Sequence, residues 1–176
     1  MLFFIGLVPP DEFGEQLDVL HRRWNYRTIA APHITVKAQS GLTPDMDWVE
    51  KVRSVCAKIS PFTIQLGGPT FFGDSVLYLS VQAPEVRTLH EQLVEAVDPS
   101  PEERQRYWET GDHFVPHLTV AQTAFGVSAE QLQAFASEVE RELTPSPTFR
   151  AQFVRVYMQE RPGEDYRPYL DIPLGS

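Results

Sequence analysis

The chain opens on an unbroken apolar run, LFFIGLV at 2–8, stopped by Pro9-Pro10, which predicts a buried strand. Behind it Phe13, Leu17, Leu20 and Trp24 recur at helical spacing, so residues 11–26 read as a helix with one apolar face. APHITVKAQ (31–39) then alternates as a strand. Thr43-Pro44 predicts an N-cap followed by proline at the first helical position, and Trp48, Val52, Val55/Cys56 and Ile59 mark the inner face of that second helix. FTIQL (62–66) and VLYLSV (76–81) read as strands flanking the turn-rich GGPTFFGD. A third helix starts at Pro84 and carries Val86, Leu89, Leu93 and Val97. VPHLTVAQT (115–123) is again a strand. Ser128 with Gln131 forms a capping box before a fourth helix lined by Leu132, Phe135/Ala136, Val139 and Leu143. FRAQFVRVYMQE (149–160) and YLDIPL (169–174) read as closing strands.

Laid side by side, the halves share an order of strand, helix, His strand, helix, strand. EQL occurs at 15–17 in the first helix and at 91–93 in the third, and YLSV (78–81) and YLDI (169–172) follow the two series. This is a weak internal duplication, and the alternation points to α/β or α+β with strands of both lobes backed by helices. No long linker interrupts the chain, so residues 1–176 are expected to form a single domain of two interleaved lobes. From Leu17 to His33 is 16 residues and from Leu93 to His117 is 24, which places eight extra residues in DPSPEERQRYWETGDH (98–113). Beside a motif, such an insertion reads as a mobile flap or as a plain surface loop.

Composition narrows the function classes. The 24 acidic and 15 basic residues leave a formal net charge of −9, so long nucleic acid, held through many neutralised phosphates, is not an expected partner. The charge is uneven: Arg22, Arg23, Arg27 and Lys37 fall in an acid-free window, 19–44, readable as a local anion site or as a solvated helix end. The single cysteine, Cys56, excludes an internal disulfide and Cys-rich zinc sites, and its place on an apolar stripe reads as core. MLFFIGLVPPDEF lacks a basic leader and is too short to span a membrane, so a cytoplasmic protein with no membrane partner is expected, and a monomer.

The candidate chemistry lies in the echo of Pro-His-Ile-Thr-Val (32–36) by Pro-His-Leu-Thr-Val (116–120). Composition alone supplies roughly 0.6 His-x-(Ser/Thr) triplets, but a second Pro-His-x-Thr-Val only about 0.003 times, so the pair is the signal. Strand alternation puts His33, Thr35 and Lys37 on one face with Ile34 and Val36 on the other, and likewise His117 and Thr119 against Leu118 and Val120. If a pseudo-twofold relates the lobes, two imidazoles and two hydroxyls converge on one cleft. Two imidazoles flanking a phosphorus atom form an acid–base pair near neutral pH, and hydroxyls can bind the non-bridging oxygens. Such a site requires no metal and no cofactor. His113 and His117 have zinc-like spacing, but Pro116 forbids the helix that spacing needs. Lys37 reads as a phosphate partner or a surface lysine. Tyr78 and Phe72 read as base-stacking rings or as core. His21 and His90, on helices, read as structural.

The paired motif resembles the 2H phosphoesterase superfamily, which includes RNA 2′,3′-cyclic phosphodiesterases and 2′–5′ RNA ligases, and the longer PHITVKAQ/PHLTVAQT pattern is similar to its small bacterial YjcG-like branch. The resemblance implies an α+β, bilobal, pseudo-twofold fold with two mostly antiparallel sheets lining a central cleft and helices outside. It implies His33 and His117 as the catalytic pair and Thr35 and Thr119 as phosphate binders. The expected activity is metal-independent hydrolysis of 2′,3′-cyclic phosphates or 2′–5′ linkages in nucleotides or short RNA. Neither Lys-x-Asp-Gly nor a P-loop is present, so any ligation would be reversed cleavage. A non-catalytic binder of RNA ends or phosphorylated nucleotides would use the same cleft, and in an interaction protein the His-x-Thr strands would merely pack.

Overall fold

A computed structural model describes residues 1–175. In chain order the elements are β1 (Leu2–Leu7), α1 (Asp11–Arg23), β2 (Ile34–Lys37), α2 (Val49–Cys56), β3 (Phe62–Phe72), β4 (Val76–Gln82), α3 (Pro84–Val97), α4 (Pro101–Arg106), β5 (His117–Gln122), α5 (Ala129–Glu142), β6 (Thr148–Ala151), β7 (Phe153–Gln159) and β8 (Arg167–Pro173). The strands form one sheet in the order β6-β3-β4-β5-β2-β1-β7-β8, every neighbouring pair antiparallel. This is the α+β fold expected, and the two expected sheets are the four-stranded halves of that single sheet. The halves meet at β2–β5 through one registered pair, Ile34↔Leu118. One half, β3–β6, is contiguous over residues 62–151, whereas the other is assembled from β1 and β2 near the start and β7 and β8 near the end.

The sheet curls. β6 and β7 are separated only by Gln152, yet they lie at distant positions in the strand order. Only a rolled sheet brings those positions together, and Leu174 N–H, just past β8, donates to the Gln152 carbonyl at 2.8 Å. The helices α1, α2, α3 and α5 cover the face that carries Ile34, Val36, Leu118 and Val120. Leu17 of α1 and Leu89 and Leu93 of α3 are fully buried there, worth roughly 2 kcal/mol each. The opposite, concave face carries His33 and a small separate cluster of Phe4, Tyr157 and Tyr166.

Four expectations change. The strand expected at 62–66 runs on through GGPTFF to Phe72, so only residues 73–75 of that stretch turn. The second helix starts at Val49 rather than Pro44, because Met46 takes a left-handed φ of 63° and the Thr43 hydroxyl donates to Asp45 instead of capping. The stretch 149–160 is two strands, broken at Gln152 where the chain crosses between the halves. YLSV and YLDI are not equivalent: the first lies in β4 beside β5, the second in the edge strand β8. What repeats is β1-α1-β2 against β4-α3-β5, with β1 flanking β2 and β4 flanking β5.

Candidate active site

The seam between the halves organises the site. Ile34 and Leu118 are fully buried and point into the core, so His33 and Thr35, and His117 and Thr119, point to the concave face. The Ile34↔Leu118 register faces His33 toward Thr119 and Thr35 toward His117. A cavity of about 200 Å³ is lined by His33 and Thr119 together with Phe4 and Tyr166. A larger one, about 790 Å³, is lined by His117, Thr35, Thr119 and Phe72. The four motif side chains thus stand where the two cavities meet.

Both imidazoles are held alike. His33 Nδ1 donates to the Ala31 carbonyl at 2.7 Å, and His117 Nδ1 to the Val115 carbonyl at 2.7 Å. A carbonyl only accepts, so Nδ1 carries the hydrogen and each neutral ring keeps its lone pair on Nε2. Each ring also packs on a stacked aromatic pair. Phe4 lies 4.5 Å and Tyr157 5.5 Å from His33, and the two are stacked 4.7 Å apart. Phe72 lies 5.0 Å and Tyr78 5.5 Å from His117, stacked 4.0 Å apart. Burial among these rings pushes His33 down to about 4, against the pull of the Ala31 carbonyl and helped by the charge His117 would carry. Burial also lowers His117, against the pull of the Val115 carbonyl. Free of ligand, both rings are neutral at pH 7.

The motif strands share a defect. Gly6 pairs with Thr35 and Ile5 with Lys37, which leaves Val36 as an extra residue; Tyr78 pairs with Thr119 and Leu77 with Ala121, which leaves Val120 extra. Each bulge frees a carbonyl from the ladder. His90 of α3 donates from Nδ1 to Val36 O at 2.9 Å, and His21 of α1 donates from Nε2 to Val120 O at 2.7 Å. The bracing is crosswise, since each helix serves the strand of the other half. Four of the five histidines therefore serve the two motifs, two in the cleft and two behind it.

The bulge also corrects the expectation for Lys37. Past Val36 the alternation reverses, Lys37 pairs with core-facing Ile5, and its side chain is fully buried. Its ammonium donates to the Ser40 carbonyl and hydroxyl at 2.6 Å each and to Glu109 Oε1 at 2.8 Å. Glu109 also accepts from Ala38 N–H at 3.0 Å and from the Ser40 hydroxyl. Glu109 belongs to the insertion, which is therefore latched to the end of β2 and contains the capped helix α4. Lys37 is remote from the motif hydroxyls in function: it holds the insertion. In the basic window Arg23 pairs with Glu138 and Glu142 and Arg27 with Asp165, while exposed Arg22 has no carboxylate partner among the described residues.

Of the two candidate stacking rings, Phe72 lines the larger cavity, whereas Tyr78 is buried beneath it. Phe4, Tyr157, Glu109 and the bracing role of His21 and His90 are not legible in the sequence. Phe4 reads there as strand filling in LFFIGLV, and the others act through contacts more than 50 residues away in the chain. Among the described residues no group of three or more His, Cys, Asp or Glu side chains is placed to hold a metal ion, and no helix is long and apolar enough to cross a membrane.

No protein of curated function matches the sequence. Among solved structures, TT0787 of Thermus thermophilus has a TM-score of 0.66 at 16% identity, covering 99% of this chain and 98% of that one. E. coli LigT complexed with 3′-AMP has a TM-score of 0.61 at 18% identity, covering 99% and 98%. Usb1 of Kluyveromyces marxianus has a TM-score of 0.53 at 17% identity, covering 98% and 97%. These likenesses are of fold. The sequence itself matches the family model of the 2′-5′ RNA ligase superfamily over residues 9–164, a span that takes in both His-x-Thr motifs. The chain belongs to that superfamily, the 2H phosphoesterases.

Proposed function

We propose that the protein is a metal-independent phosphoesterase that hydrolyses a 2′,3′-cyclic phosphate or a 2′–5′ linkage in a nucleotide or at an RNA end. The observation that carries this reading is the symmetric pair of Nδ1–carbonyl bonds at His33 and His117, which leaves two Nε2 atoms at one cleft. The phosphate sits between them, with the Thr35 and Thr119 hydroxyls donating to its non-bridging oxygens. One Nε2 takes a proton from water as its oxygen bonds to phosphorus. The P–O bond to the 2′ or 3′ oxygen breaks, and the other imidazolium protonates that oxygen. The products are a phosphomonoester and a free hydroxyl, and the two rings have exchanged roles. Started from a cyclic end with a sugar hydroxyl in place of water, the same steps join two strands, and their reverse is cleavage of that diester by the neighbouring 2′- or 3′-hydroxyl. In support, E. coli LigT, which shares the fold, has been solved with 3′-AMP, NADP+, ATP and phosphate.

Incubation with nucleoside 2′,3′-cyclic monophosphates and cyclic-ended oligonucleotides, with and without EDTA, tests this. Turnover that survives chelation is expected. His33→Ala and His117→Ala are each expected to cost about 10²- to 10⁴-fold in kcat with circular dichroism unchanged. Tight ligand binding without product would replace the enzyme with a binder of RNA ends, and turnover abolished by chelation would overturn the two-imidazole mechanism.

A further inference from the structure

The insertion does more than close a loop. Besides the 790 Å³ cavity at His117, a second cavity of about 610 Å³ is lined by Pro101, Gln105, Arg106, Trp108, Thr110 and His113. Trp108 and His113 line both, so the active-site cleft continues past them along the insertion. Trp108 is 68% exposed, more than any other exposed large hydrophobic side chain of the described residues. Its backbone has a φ of 57°, a left-handed conformation that a bulky residue adopts only when its surroundings impose it. The imposition is visible on both sides: Trp108 N–H bonds Gln105 O at 3.2 Å, Glu109 N–H bonds Arg104 O at 2.9 Å, and Glu109 itself is locked to buried Lys37. A buried ion pair thus fixes the residue next to a strained, solvent-facing indole at the mouth of the cleft. Close by, Arg106 makes no ion pair among the described residues, and its guanidinium sits 5.5 Å from the centre of the Tyr107 ring.

An exposed indole face is a platform for a nucleobase, and a guanidinium free of carboxylates binds a phosphodiester. We propose that this groove is a subsite for the nucleotide that adjoins the reacting one, with its base on Trp108 and its phosphate on Arg106, so that the substrate is the end of a single-stranded RNA rather than a mononucleotide. The inference rests on the reading that the His33–His117 cleft holds the reacting phosphate. It also fits a short contact on a chain whose net charge of −9 repels a long one.

Two measurements test it together. One is kcat/KM on a nucleoside 2′,3′-cyclic monophosphate against a trinucleotide with the same cyclic end. The other is fluorescence-anisotropy binding of a labelled trinucleotide ending in a 3′-phosphate. The trinucleotide is expected to be favoured by about tenfold or more, the preference falling about tenfold in Trp108→Ala and surviving in Trp108→Phe. Arg106→Ala is expected to weaken oligonucleotide binding and reduce its salt slope by about one ion. Equal kcat/KM for the two substrates, with binding untouched by Trp108→Ala, would overturn the subsite and leave the phosphoesterase reading standing. No turnover of either substrate, with binding that still depends on Trp108, would keep the subsite and remove the hydrolase. Failure of both turnover and Trp108-dependent binding would overturn both.

Discussion

His33 and His117 are made poor bases by their aromatic surroundings, and neither has a carboxylate partner among the described residues. The proposed hydrolysis needs one of them charged. An anionic phosphate placed between the rings supplies the missing counter-charge, so the acid is created by binding rather than stored in the free enzyme. Calorimetric titration with sulfate, which stays fully ionised near neutral pH, in buffers of different ionisation enthalpy is expected to show uptake of up to about one proton. Binding with no uptake would mean that no imidazole is charged by the anion. At this scale the sequence was legible in where the motif side chains would stand. His33, Thr35, His117 and Thr119 reach one cleft because alternation holds from His to Thr. It fails one residue past the motif valine: Lys37 turns inward while its counterpart Ala121 is simply small and buried. No pattern of apolar and polar positions announces a bulge.

Among the elements, the bulged strands and the latched insertion each depend on a partner supplied from far along the chain. His90→Leu or His21→Leu would orphan the carbonyl of Val36 or Val120, and each is expected to cost about 1–3 kcal/mol in urea unfolding. A loss near zero would show that the carbonyl finds another donor. Glu109→Ala is expected to cost about 3–5 kcal/mol by stranding the buried Lys37 ammonium, and Lys37→Met added to it is expected to recover most of that loss. If the double variant is no more stable than the single one, the pair is not what fixes the insertion. The sequence revealed that eight residues had been inserted and that Ser128 capped a helix, because counting and capping are local. The Ser100–Glu103 capping box of α4 is equally local, but no apolar stripe follows it, so the stretch reads as loop.

For the molecule as a whole, buried histidines set the response to acid. His21, His33, His90 and His117 are all lowered from their ordinary value, chiefly by burial. Below about pH 6.5 the unfolded chain takes up protons that the folded chain refuses, so stability is full above that pH and is lost as the pH falls toward about 4. Thermal unfolding at about pH 7.5 and about pH 5 is expected to show a lower Tm at the acid pH, with a smaller drop in His33→Ala. An unchanged Tm would mean these rings are protonated in the fold. The repeated strand–helix–strand order was legible at this scale, since the runs of β1, β2, β4 and β5 carried their own boundaries. The pairing of β7 with β1 across the whole chain was not, because register between distant strands leaves no local trace.

The nesting of one half of the sheet within the other also gives the protein a history during synthesis. The half bearing His117 lies entirely within residues 62–151 and can complete its strand pairings as soon as that stretch is free. The half bearing His33 starts earlier in the chain but must wait for β7 and β8, which follow that stretch, before β1 has a neighbour on its outer side. The candidate cleft therefore cannot be finished until the strands beyond residue 152 have been made. A nascent chain stalled before residue 153 holds both motifs and no working site.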